Sequence, residues 1–258
     1  MPTHALTEAA PVYLNWEFWS AVIAWIALIL SQLPPVRVLF SSKSLAIEAN
    51  ENLGVSHMVG YPTAQIYLSL RNTGNRPVRV AAISMELRRV DDAPFPLVAR
   101  QFFVNIGDQR PVLFVPVSIA PGDEWGKVIA FEVRLDQQEN RRLRSLRNTL
   151  REDISAKVDA QRRINPMDNT LCEGEPANVQ ALVDVYAQKF RWNAGDYALT
   201  LRVESDSAKP VESRFRFTIY ESDERELRGY ADRYMYGEGP AFDSLAVAGV
   251  IVPLFVQP

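Results

Sequence analysis

The sequence predicts a mainly β fold, an antiparallel β-sandwich with an inserted helical hairpin, preceded by one transmembrane helix. Three observations predict it. An apolar run lies near the N-terminus. Short stretches of alternating apolar and polar residues recur after it, separated by Gly, Pro and Asn turns. One long charged stretch without Gly or Pro interrupts them.

The apolar run reads YLNWEFWSAVIAWIALILSQL over 13–33, and from Phe18 to Leu30 only Ser20 is not apolar. About 20 residues at about 1.5 Å each match a hydrocarbon core of roughly 30 Å. Trp16 and Trp19 stand where an interfacial aromatic belt would lie, and Pro34 and Pro35 stop the helix. The predicted anchor is therefore 13–35, behind a tail of 1–12, with Trp16, Trp19, Trp25, Leu28 and Leu30 as its membrane-anchoring residues. A cleaved signal peptide fits less well, because no Lys or Arg precedes Tyr13 and SQLPPVR lacks a small-residue cleavage site. A buried soluble helix is the other alternative. Before the apolar core come Glu8 and Glu17 with no basic residue, whereas Arg37 and Lys43 follow it. The positive-inside rule then puts the N-terminus outside and the domain at 36–258 in the cytoplasm.

After the anchor the period changes to two. Strands are expected within 36–49, over Ala64–Arg71 and over Val78–Arg88, with a bulge where the phase breaks at Ala81-Ala82. Further strands are expected at 101–104, 112–119, 125–135, 197–203 and 214–220, with NTGNRP and PGD as turns. The apolar stretch 245–256 is too short for a second ordinary span and reads as a final buried strand. LSLRNTGNRPVRV, VSIAPGDEW and AGDYALTLRV resemble strand–turn–strand pieces of immunoglobulin-like domains in bacterial single-pass membrane-anchored proteins. Tyr197, after a Gly-Asp turn, is similar to the tyrosine of a tyrosine corner. The resemblance implies an immunoglobulin-like sandwich and no activity. The cysteine pair of antibody domains is absent, since Cys172 stands alone.

The helical insertion is expected at about 136–190. Leu143, Leu146, Leu150, Ile154 and Val158 make one stripe, and Val179, Leu182, Val183, Tyr186 and Phe190 make another. Pro166 ends the first helix and Pro176 begins the second. A third, short helix is read within 221–236.

Composition bounds function loosely. The 258 residues are 47% hydrophobic and 23% charged, as in globular domains, and the net charge of −3 disfavours nucleic acid. Only His4 and His57 could supply imidazole to a metal, and no nucleotide, hydrolase or CxxC motif occurs. No cofactor or catalytic residue is expected. The one local charge excess is the first insertion helix, where Arg141, Arg144, Arg147, Arg151 and Arg162 could meet anionic lipid or a protein partner. A solvated helix face with pairs to Glu152 and Asp153 is the competing reading. The expected function is a non-enzymatic, tethered module at the inner membrane. It would bind lipid through the first helix and a protein partner or a second copy through the domain, in the manner of bacterial defence or stress systems. An exported accessory protein and an unrecognised enzyme are the alternatives.

Overall fold

The computed structural model describes residues 16–32, 43–90, 92–105, 107–108, 110–206, 209–242 and 249–257. The predicted tail 1–12, the outer parts of the predicted anchor at 13–15 and 33–35, and the expected strand residues 36–42 and 245–248 lie outside the described residues.

The fold is mainly antiparallel β with helices. In chain order the strands are β1 (Leu45–Ala49), β2 (Asn52–Met58), β3 (Tyr61–Asn72), β4 (Val78–Arg89), β5 (Phe95–Phe103), β6 (Val112–Leu113), β7 (Val117–Ile119) and β8 (Glu124–Glu132). After the insertion come β9 (Gly195–Ser205), β10 (Val211–Ile219), β11 (Val250–Pro253) and β12 (Phe255–Val256). The helices are α1 (Trp16–Gln32), α2 (Gln137–Ile164), α3 (Pro176–Lys189) and α4 (Glu221–Gly229), which runs into a 3₁₀ segment, Tyr230–Tyr236.

The strands form a single sheet in the order β11-β2-β3-β8-β5-β4-β9-β10-β12, with β1 beside β3, β6 beside β5 and β7 beside β4. β1 and β2 follow one another along the same edge of β3, on its second and first halves respectively. The C-terminal segment links the two margins: β11 pairs with β2, β12 pairs with β10, and Leu254 between them donates its N–H to the Glu51 carbonyl at 2.7 Å. The sheet is thereby nearly closed, which leaves little unpaired edge. Alternation explains which side chains fill it. Ile66, Leu68 and Leu70 of β3, Ile83, Met85 and Leu87 of β4, and Leu199, Leu201 and Val203 of β9 are all buried. The phase break in β4 is a bulge, where the register to β9 shifts between Val80 and Ala82.

Three expectations need correction. The first concerns 13–35: the described helix is α1, 17 residues or about 25 Å long, and among the described residues no helix is long and apolar enough to cross a membrane. The second concerns the C-terminal strand, which is only half buried. Val252 and Leu254 face inward, while Ile251, Phe255 and Val256 are exposed. The third concerns β5, which begins at Phe95, not at 101. Pro96 hides it in the sequence, yet is tolerated because β5 has only β4 as neighbour there; pairing to β8 starts at Val98. β2 escapes the alternation pattern altogether. Leu53 and Val55 point inward, but the next inward position is His57.

The strands define two ends. Lys43, where the described domain begins, pairs with Asp206 at 2.6 Å, beside the β3–β4, β7–β8 and β9–β10 turns. The helical hairpin of α2 and α3 packs on the other end, over the β2–β3 turn. That turn is Val59-Gly60, both at positive φ (51° and 83°), the φ signs of a type I′ hairpin. A Cβ on Gly60 would lie 2.6 Å from the Tyr186 carbonyl oxygen, so glycine lets hairpin and helix touch.

Candidate functional site

Two features stand out as surfaces with work to do: α1 and the helical cap.

α1 carries Trp16, Phe18, Trp19, Ile23, Trp25, Ile26, Leu28 and Ile29, all exposed, and among its described side chains only Val22 is half-buried. Of the expected anchoring residues, Trp16, Trp19, Trp25 and Leu28 are therefore on the surface, while the Leu30 side chain lies outside the described residues. Moving eight such side chains out of water is favourable by on the order of 10 kcal/mol. Phe18 and Trp19 contact edge to face at 5.8 Å, which hides little of this area.

The cap is built from both predicted stripes. Leu143, Leu150 and Ile154 of α2 and Leu182, Val185 and Tyr186 of α3 are buried, with Leu146, Val158, Val179 and Val183 partly buried against the same core. Asp136 caps α2 by accepting the Glu139 N–H at 2.7 Å. Asp153 accepts the Glu175 N–H at the start of α3, and this bond, with Lys157 beside it, holds its carboxyl below the usual range. Glu139 is paired with Lys189 across the two helices, which lowers its pKa in the same sense.

The five candidate arginines divide. Arg147 reaches the Pro240 carbonyl at 2.5 Å and the Met58 sulfur, and Arg151 reaches the Ala241 carbonyl with Nε at 2.9 Å. These two tie α2 to the 237–242 loop, a role the charge pattern does not reveal. Arg141, Arg144 and Arg162 are exposed. Past the packed part of α2, Ile164, Met167 and Leu171 are 88%, 86% and 57% exposed, three apolar side chains within eight residues at the hairpin tip. Beside it a groove runs between α2 and 168–172, floored by Ile154, Val158 and Phe242. Cys172 sits half-buried in its wall, with its thiol on the Gln161 amide oxygen at 2.8 Å.

Under the cap lies an aromatic cluster that sequence reasoning missed. The His57 ring is 5.2 Å from Tyr186, 5.5 Å from Phe190 and 5.8 Å from Tyr230. Its Nδ1 accepts the Gly60 N–H at 3.2 Å, so Nε2 carries the proton and donates to the Leu227 carbonyl at 2.8 Å. Burial lowers its pKa from the ordinary value. Trp192 is fully buried nearby and donates to the Ser56 carbonyl at 2.5 Å. The Tyr197 hydroxyl reaches back to the Asn193 and Arg191 carbonyls at 2.8 and 2.9 Å, and its ring stacks on Phe217 at 5.0 Å. The polar atoms of His57, Trp192 and Tyr197 are thus hydrogen-bonded, whereas the Tyr186 and Tyr234 hydroxyls are buried with no hydrogen-bond partner among the described residues. Among the described residues no group of three or more His, Cys, Asp or Glu is placed to hold a metal ion.

No family model matches the chain, and no curated protein matches it. Three solved structures share a distant likeness. A protein described as ApaA from Bordetella pertussis is 10% identical, with 70% of this chain and 96% of that chain covered and a TM-score of 0.27. A protein described as late embryogenesis abundant is 9% identical, with 85% and 95% covered and a TM-score of 0.31. A protein from Archaeoglobus fulgidus is 6% identical, with 69% and 98% covered and a TM-score of 0.27. Likenesses this distant support no inference about what the chain does.

Proposed function

We propose that this chain is a non-enzymatic module, held at a membrane by its N-terminal apolar helix, that presents an immunoglobulin-like β domain to a protein partner. The observation that carries the reading is the exposure of every described side chain of α1 but Val22. A helix that buried one stripe in a soluble core would be polar on the other face, and α1 is not. Hydrocarbon is the solvent that satisfies it. The described 17 residues fall short of a typical span. A full crossing needs Tyr13, Leu14 and Leu33 in the helix as well, or a locally thinned bilayer.

The immunoglobulin-like reading draws support from the antiparallel strands and from the Tyr197 hydroxyl reaching upstream carbonyls, as in a tyrosine corner. The partner surface is the hairpin tip, where Ile164, Met167 and Leu171 form an apolar centre rimmed by Arg162 and Arg163. Lys43, the first described residue of the domain, lies on the end opposite the cap, and we take the cap's arginines as contacts for protein.

Membrane fractionation tests the tether. The full chain should stay with membranes through alkaline carbonate washing, and a chain starting at Lys43 should be released to the supernatant. Full-length protein in the supernatant without detergent would end the proposal. An inner-membrane site with a cytoplasmic domain is read from Arg37 and Lys43, and protection of the domain from protease added to intact spheroplasts tests it.

A further inference from the structure

The outer face of the sheet carries a second site, unrelated to tether or cap. Arg88 of β4, Ala198 of β9, Arg216 of β10 and Phe255 of β12 stand in one row across four neighbouring strands. Neighbouring strands lie about 4.8 Å apart, so Arg88 and Arg216 leave the backbone about 10 Å apart, with only the Ala198 methyl between them. The result is a groove of about 680 Å³, walled by both arginines and by Val90, Phe255, Asp92 and Asp196. That is a size suited to a small organic ligand.

The charges in the groove are unequal in their commitments. Asp92 is held by Arg89 at 2.8 Å, and Asp196 accepts the Thr218 hydroxyl at 2.6 Å. Arg88 and Arg216 have no side-chain hydrogen bond or ion pair among the described residues. Asp92 is neutralised by Arg89, so the two arginines outnumber Asp196, the remaining carboxylate of the groove, and they stand on either side of a small residue. The walls on either side are apolar and open to solvent, with Val90 64% and Phe255 53% exposed. Phe255 thus places half-exposed aromatic area directly beside the Arg216 guanidinium on the outside of the sheet.

We propose that this groove binds a small organic anion, with its carboxylate or phosphate group between Arg88 and Arg216 and its flat apolar body against Phe255. Two guanidinium groups can each give a carboxylate or phosphate a pair of charge-assisted hydrogen bonds. Phe255 adds stacking area that a bare inorganic ion cannot use.

Calorimetric titration of the full chain in detergent with phenyl phosphate, benzoate and inorganic phosphate at low salt tests this. Phenyl phosphate or benzoate should bind more tightly than inorganic phosphate. Arg88→Gln and Arg216→Gln should each weaken binding by about tenfold or more, the scale of one lost charge-assisted pair. Phe255→Ala should weaken the aromatic anions and leave inorganic phosphate unchanged. Ala198→Leu should block all three by filling the floor. Both arginines are exposed, so unchanged thermal melting of their variants excludes misfolding as the cause. Absence of binding by any of the three anions, or binding indifferent to both arginine substitutions, overturns the proposal. Equal loss of all three anions in Phe255→Ala overturns the apolar half of the site.

Discussion

At the end where Lys43 meets Asp206, Asn72 closes two turns through its own amide. At the opposite end, closure is made by aromatic rings drawn from separate elements. Asn72 is fully buried; its Nδ2 donates to the Arg76 and Ile119 carbonyls at 2.8 and 2.9 Å, and its Oδ1 accepts the Gly74 N–H at 3.0 Å. At the far end His57 from β2, Tyr186 and Phe190 from the α3 region, and Tyr230 and Tyr234 from the 3₁₀ segment meet. The first end is polar and combines contacts within the 72–76 turn with a bond to Ile119, 47 residues on. The second is apolar and gathers residues more than a hundred positions apart. One is held by satisfied hydrogen bonds whose loss leaves orphans, the other by buried area whose loss leaves a cavity.

The largest effect should come from the aromatic end. Trp192→Ala removes a fully buried indole that touches Phe95 at 5.6 Å and Tyr197 at 5.9 Å and bonds Ser56. It should cost about 3–5 kcal/mol in urea unfolding. Amide exchange should accelerate first in α3 and the β2–β3 turn and leave the 72–77 turn protected. Equal loss of protection at both ends would show that the two closures are not separate units.

Asn72→Ala should cost less, about 2–3 kcal/mol, because it strands two carbonyls and one N–H without opening a large void. The sharper variant is Asn72→Asp. Two of the three partners are carbonyl oxygens, and a carboxylate cannot donate to them, so the acid should be no better than alanine. A well-tolerated Asn72→Asp would mean that the side chain is not the organiser of this end.

The contrast between the ends also explains what was legible. NTGNRP, PGD and the alternation in β3, β4, β9 and β10 are local signals, and so the polar end and the strands around it were readable. The helix ends near Asp136, Pro166 and Pro176 were readable for the same reason. β2 was not readable, because His57 takes the inward position that an apolar residue would have marked, and its reason for being there is Leu227, 170 residues away. Arg147 and Arg151 look like surface charge in the sequence, yet their carbonyl partners lie 93 and 90 residues on. The groove of Arg88 and Arg216 depends on strand order, which no local pattern encodes.

The smallest expected effect concerns protons at the aromatic end. His57 is held neutral, with Nδ1 accepting from Gly60, and burial lowers its pKa from the ordinary value. The unfolded chain takes up a proton near the ordinary histidine pKa of about 6.5, while the folded chain resists it to lower pH. Below that pH the unfolded state therefore binds more protons, and stability falls as pH falls. Unfolding free energy measured from about pH 7.5 to about pH 5.5 should drop in the native chain and drop less in His57→Gln. Carboxylates that begin to protonate in this window, and His4, are common to both proteins and cancel in the difference. The polar end supplies the control: Asn72→Ala should lose stability equally at both pH values, since no histidine contacts that turn among the described residues. Parallel pH profiles for the native chain and His57→Gln would mean that the imidazole takes up its second proton as readily under the cap as in the unfolded chain, so that losing the Gly60 contact costs nothing.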